Sequence, residues 1–335
     1  MNNLSPNKEN TKTRWPKLFT LVIVATLMAE LLSGSTPFSR ILQLLPQFLL
    51  YGSGAVLVRE ITRRLGLGWK TIILLGFTFG IIVEGLVLQS IFNPHFLGLD
   101  IAYGRALGVN WVWAEYLTGL HAFWSITGAI VASEAIYPKD RNEPWLSLTW
   151  TKITGGIFVL ISVAFHFLFV KLFHFQATAG LFLCCALLVV VLIIVALKQA
   201  REVINVRNTA EIKPGYSFWV IALITCAAGV LWLLGIGAIM MPNKLSLWIP
   251  VPAGPLVMAV YFTLLNKWNL VAIRDDKDRL AVAAGLLSAD LILGYTGTLA
   301  NRIDHYGQIG LIILTLTLLA VLFKRLQQKD PFPST

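Results

Sequence analysis

Ten stretches of this chain run for about twenty residues with almost no charge, and short polar segments between them hold most of the ionic side chains. A helix rising about 1.5 Å per residue needs roughly that many apolar residues to cross about 30 Å of hydrocarbon. The pattern predicts spans at 17–33, 40–57, 70–92, 111–137, 151–172, 177–197, 216–241, 247–265, 280–300 and 307–323. The expected fold is an all-α polytopic transmembrane bundle of about ten spans, with residues 17–325 as one domain between tails at 1–16 and 326–335. The connecting segments are too short for a separate folded unit.

Composition strengthens this reading. Apolar residues make up 56% of the 335 positions and charged residues 13%, more apolar than a water-facing surface tolerates. All but five of the 27 Lys and Arg residues fall at one end of the spans; the exceptions are Arg40, Arg105, Lys171, Lys244 and Arg302. Basic residues accumulate in cytoplasmic loops, so both termini are expected in the cytoplasm and the anionic headgroups of a bacterial plasma membrane are the expected neighbours of those loops. Nine of the eleven tryptophans sit near predicted span ends, as interfacial rings do; Trp124 and Trp232 are the mid-span exceptions. The net charge of +10 is spread over short loops and builds no nucleic-acid face. Cys184, Cys185 and Cys226 lie in apolar runs without CxxC spacing, which argues against a disulfide framework or a thiolate metal site. The first run lacks a small-residue cleavage pattern and is read as span one.

Candidate chemistry lies in the ionisable residues within these runs, because an acid at mid-helix costs roughly 2.5 to 3.5 kcal/mol. They are Glu30, Glu84, Glu115, His121, Glu134, His166 and Asp290. No Lys or Arg falls well inside a predicted span, so these carboxylates are expected to lack an internal cation. Counting outward from Lys17 and Lys70 places Glu30 and Glu84 at about 20 Å, on one level. Counting inward from Trp111 places Glu115 about 6 Å and His121 about 15 Å below the outer surface. Asp290 is near the middle of its span. Glu30, Glu84, Glu115 and His121 are thus expected to line a cavity open to the outer side, with Asp290 as a further candidate and Glu134 separate. Against this stands a structural role, in which buried acids and histidines bond to backbone carbonyls, strongest for Glu115, Glu134 and His166. Two stretches predict helix breaks: Pro46 with Tyr51-Gly52-Ser53-Gly54, and Trp248 to Pro255 with its three prolines. Arg59-Glu60 and Arg63-Arg64 are expected to anchor a cytoplasmic loop.

The run Tyr51-Gly52-Ser53-Gly54-Ala55 with Arg59-Glu60, then Glu84-Gly85-Leu86, Phe92-Asn93-Pro94, Gly108-Val109-Asn110-Trp111, His121-Ala122, Glu134 and Pro144-Trp145, resembles an uncharacterised family of bacterial multi-pass membrane proteins. The resemblance implies a bacterial membrane protein and no particular chemistry. A more distant likeness is to CAAX-protease-like membrane enzymes, with Glu84, His121 and His166 in the places of that family's site residues. Val83 stands where its first Glu belongs, Leu117 replaces a Phe and Val170 a late Asn. That likeness implies Glu84 activating water, helped by His121.

Two readings of function follow: binding or transport of a small solute or ion through Glu30, Glu84, Glu115, His121 and Asp290, and a membrane-embedded hydrolase using Glu84 and His121. A scaffold without catalysis is a third. The sequence assigns no metal site and leaves any cofactor open.

Overall fold

The computed structural model describes residues 13–96, 104–199, 217–240, 245–246, 248–267 and 276–329. Ten helices occur among them. Helix α1 (Trp15–Thr26) continues as a π-helical stretch, Leu27–Leu31, and α2 (Leu44–Leu65) follows a 3-10 segment, Phe38–Gln43. Helix α3 (Trp69–Ile81) also ends in a π-helical stretch, Ile82–Val87. A small hairpin, β1 (Arg105–Ala106) paired antiparallel with β2 (Val109–Asn110), leads into α4. Helix α4 is α-helical over Trp111–Leu120, π-helical over His121–Gly128 and α-helical again over Ala129–Ile136. Then come α5 (Leu148–Phe173), α6 (Ala179–Leu197), α7 (Phe218–Val230, with a π-helical Leu231–Met240), α8 (Pro250–Lys267), α9 (Asp276–Gly297) and α10 (Arg302–Lys329). Each predicted run has its helix. Lys8, Lys12, Arg201, Arg207, Lys213, Lys244, Arg274 and Trp268, all used above, lie outside the described residues.

Local chemistry sets several boundaries. Asn110 accepts a hydrogen bond from the Trp113 N–H at 2.9 Å and so caps α4, and Ser147 and Thr178 cap α5 and α6 in the same way. Gly66, left-handed at φ +68°, ends α2. Helices α1 to α4 and α9 supply most of the buried core, while α5 shows no buried side chain and turns Leu160 and Phe167 outward. Such apolar outer faces suit lipid, which rewards close packing between helices rather than burial from water. Accordingly α9 meets α7 along a face that includes Ala281, Gly285 and Ala289.

Three expectations need correction. Helix α2 passes through Tyr51-Gly52-Ser53-Gly54 without a break, because those positions let neighbours approach: a side chain at Gly54 would collide with the Phe79 ring. Helix α8 starts at Pro250, with Pro252 in its first turn and only Pro255 farther inside. π-helical turns occur instead at Glu30, Glu84 and His121, and again over the apolar Leu231–Met240 of α7.

The second correction concerns Arg59, Glu60 and Arg63. Helix α2 extends eight residues beyond the predicted 57, and these side chains are buried inside the bundle rather than displayed on a loop. Glu134 on α4, 0% exposed, accepts bonds from Arg63 Nε at 2.9 Å and Nη2 at 2.7 Å. Arg59 Nε lies 3.1 Å and Arg279 Nη1 3.3 Å from the same carboxylate. Glu60 pairs with Arg59 at 2.9 Å and accepts the backbone N–H groups of Trp145 and Leu146 at 2.9 to 3.0 Å. The Arg59 guanidinium lies 3.4 Å from the centre of the Trp145 ring. Thus Glu134 has three cations, contrary to the expectation that no intramembrane acid would have one.

The third concerns span three. Its helix stops at Val87, five residues short, and the chain turns through Gln89 in the left-handed region, φ +55°. Ile91, Phe92 and Asn93 pack inward beyond that turn.

Glu134→Gln removes the buried carboxylate that three guanidinium groups share, and removal of one partner from such a group costs about 3 to 5 kcal/mol. Loss of the folded, monodisperse protein on heating in detergent, at a much lower temperature than the parent, is the expected result; fluorescence-detected size exclusion measures it. Gly54→Ala overpacks the α2–α3 contact by about 1 to 3 kcal/mol, and Phe79→Leu in the same chain restores part of the loss in the same assay.

Candidate functional site

Glu30, Glu84 and His121 come together, and each stands in a π-helical turn. A π turn inserts one residue into the helical ladder and shifts the side chains beyond it, a distortion found mostly at functional sites. In α3 it turns Glu84 toward α4, and in α4 it turns His121 to meet it. His121 Nε2 and Glu84 Oε1 are 2.8 Å apart, with both residues 3% exposed.

The Trp113 indole fixes the direction of one hydrogen bond at Glu84. The Trp113 indole N–H, able only to donate, bonds to Ser90 Oγ at 3.3 Å, so the Ser90 hydroxyl donates onward to Glu84 Oε2. Glu84 thus accepts from Ser90 through Oε2 and shares the hydrogen bond with His121 Nε2 through Oε1. His121 Nδ1 is hydrogen-bonded to the hydroxyl of Ser125, one helical turn on, at 3.0 Å. Ser90 reaches the carboxylate because α3 ends early and the left-handed turn at Gln89 folds the chain back. The Tyr51 and Phe79 rings flank the imidazole, their centres 5.7 and 5.8 Å from its own.

Glu30 joins this group through Tyr51. The Thr36 hydroxyl donates to Glu30 Oε2 at 2.7 Å, and the Gln47 amide nitrogen, turned toward the carboxylate, donates to Oε1 at 2.9 Å. The Tyr51 hydroxyl is a further partner of Glu30, while its ring lies against His121. A chain of hydrogen bonds runs from Trp113 through Ser90 and Glu84 to His121, and Tyr51 stands between it and Glu30, its ring against the imidazole. Glu30 is partly exposed, but Glu84 and His121 are closed off, whereas a cavity open to the outer side was expected around all three. The aromatic packing on His121 and the inward turn at Ser90 close it.

Glu115 and Asp290 stand elsewhere. Neither shares a hydrogen bond or ion pair with Glu30, Glu84 or His121 among the described residues. Glu115 lies on a different face of α4, against Gly254 of α8. Asp290 on α9 is 1% exposed, its Oδ2 without a hydrogen-bond partner among the described residues. His166 Nδ1–H donates to the Leu86 carbonyl at 2.8 Å, the structural role considered for it. Among the described residues no three His, Cys, Asp or Glu side chains converge closely enough to share a metal ion.

Tyr51, Ser90, Ser125, Trp113, Thr36 and Gln47 were not singled out as site residues from the sequence. Only Ser125 carried a signal, its spacing of four from His121 on one helix. The Ser90 contact depends on a turn that hydropathy assigns to the interior of a span.

No curated protein and no solved structure matches this chain. A family profile described as an uncharacterized membrane protein family matches residues 19–325. With most of its length so matched and its apolar helices in place, the chain belongs to that family of membrane proteins.

Proposed function

We propose that this multi-pass protein transports a small solute or ion across the bacterial plasma membrane, using the Glu84–His121 pair as its proton- or cation-binding element and Glu30 as the neighbouring relay. The observation that carries this reading is the 2.8 Å carboxylate–imidazole bond, buried in the bundle and built on two π-helical turns. Such a pair can hold or release one proton, with the charge of either form spread over two hydrogen-bonded side chains. With Glu84 anionic and His121 neutral the pair carries one negative charge; a proton on either partner neutralises it. A cation displacing that proton has the same effect on charge, which makes the pair a natural coupling element. Glu30, held by Thr36, Gln47 and Tyr51, is the less buried group and supplies the route toward water.

The closed arrangement fits one stage of an alternating cycle, in which the Tyr51 and Phe79 side of the pair must open for exchange. Asp290 and Glu115, separate from the pair, are assigned to other steps or sites.

Serine gives the hydrolase reading one specific support. Ser125, His121 and Glu84 are bonded in series, the order that activates a serine nucleophile. Ser125 is fully buried, so this reading requires a substrate path that transport of a proton does not. Labelling of Ser125 by a fluorophosphonate, lost in Ser125→Ala, is the outcome that favours hydrolysis over transport.

In proteoliposomes enclosing a pH-sensitive dye, an imposed sodium or potassium gradient is expected to change lumenal pH with the parent protein. Glu84→Gln and His121→Gln are each expected to reduce the rate at least tenfold while the protein stays monodisperse. Rates equal to the parent in both variants, or no movement above empty vesicles with any gradient, argue against the proposal. Tyr51→Phe keeps the ring but deletes the hydroxyl bonded to Glu30; a several-fold slower pH change with unchanged thermal stability is expected in the same vesicles.

A further inference from the structure

A second cavity, of about 470 Å³, opens between α3, α4, α6 and α8, away from the Glu84–His121 pair. Its walls are apolar, with Ile81, Phe92, Leu181 and Pro255 among them, and a single carboxylate, Glu115, enters it. Glu115 Oε1 is buried without a hydrogen-bond partner among the described residues, and no ion pair involves Glu115 there. It lies against the Gly254 backbone, where any side chain would strike the carboxylate. The Trp111 ring, half exposed, stands on the same wall.

An acid left without a cation beside hydrocarbon is costly, and a lipid acyl chain in the cavity would fill the space without relieving that cost. An anion would be repelled. A small hydrated cation would satisfy the carboxylate but leave the apolar walls without contacts. A ligand with one positive charge and a bulky apolar body satisfies both, and the Trp111 face adds a second attraction for the cation.

We propose that this cavity is a binding site for hydrophobic organic monocations, with Glu115 as counter-charge and Trp111 at its mouth. The site is independent of the proton-exchanging pair, so equilibrium binding without any flux reads it out whether or not transport is observed.

The test uses the full chain in phosphatidylcholine nanodiscs and radiolabelled tetraphenylphosphonium. Saturable binding above protein-free discs is expected, weakened at least tenfold in Glu115→Gln. Tetraphenylborate, of like shape and opposite charge, is expected not to compete. Binding unchanged in Glu115→Gln, or equal competition by the borate, shows a cavity that merely accepts apolar bodies and overturns the proposal, as does the absence of saturable binding. Should Glu115→Gln fail to fold, Leu181→Trp fills the same cavity from α6; phosphonium affinity undiminished in that variant also overturns it.

Discussion

A carboxylate shared by three arginines holds one end of this bundle together. Glu134 on α4 draws Arg59 and Arg63 of α2 and Arg279 of α9 into a space from which water is excluded. The cost of stripping these ions of water is large, and their attraction offsets it only where geometry is good and remaining donors are met. Here Arg63 binds through two nitrogens, Arg59 stacks on Trp145, and Glu60 uses its second oxygen on backbone N–H groups of the segment before α5. The network therefore joins three helices and one connecting segment. Lipid gives helices little reason to associate, so a polar lock of this kind does what burial does in a soluble core. It also fixes the rotation of α2 and α4, and with it the faces on which Tyr51 and His121 stand.

Hydropathy made the ten helices legible because the bilayer imposes one length on every span. Their ends were less legible. The count of apolar residues stops α2 at residue 57, since Arg59, Glu60 and Arg63 read as a loop, yet the helix continues to Leu65. Charge is a reliable sign of water only when it is unpaired, and the partner of Arg63 lies 71 residues away on another helix. Span three shows the opposite error: Leu88, Ile91 and Phe92 look like membrane helix, but they pack inside the protein on an irregular turn. Backbone without helical bonds survives at that depth because protein groups meet it; the Ile91 carbonyl accepts from the Asn110 N–H at 2.9 Å.

Depth arithmetic also had a limit. It placed Glu30, Glu84, Glu115 and His121 within reach of one another along the membrane normal, but rotation about each helix decides which of them meet. Glu115 and His121 are six residues apart on α4, and at about 100° per residue they project about 120° apart around a regular helix. The first faces α8 and the second faces α3. The sequence pattern recorded how far along the helix each residue stood; the packing of α2, α3 and α8 decided its direction.

The π-helical turns explain how polar chemistry is placed among these helices without breaking them. A proline break frees carbonyls that need new partners in a medium that has none to offer. A π turn continues the helix with i→i−5 bonds, lengthens the repeat locally and changes the aim of the side chains it carries. Three such turns, in α1, α3 and α4, occur where Glu30, Glu84 and His121 lie, and hydropathy alone gives no sign of them because an inserted residue leaves the apolar run intact. The expected break at Tyr51-Gly52-Ser53-Gly54 has a different use: regular helix with small side chains admits the Phe79 ring, which packs on His121. Gly54, which suggested an opening in the helix, instead lets the Phe79 ring close over the imidazole, while Gly52 admits Val22 of α1, so access to the pair depends on moving side chains and helices that pack on it rather than on a permanent gap in the backbone.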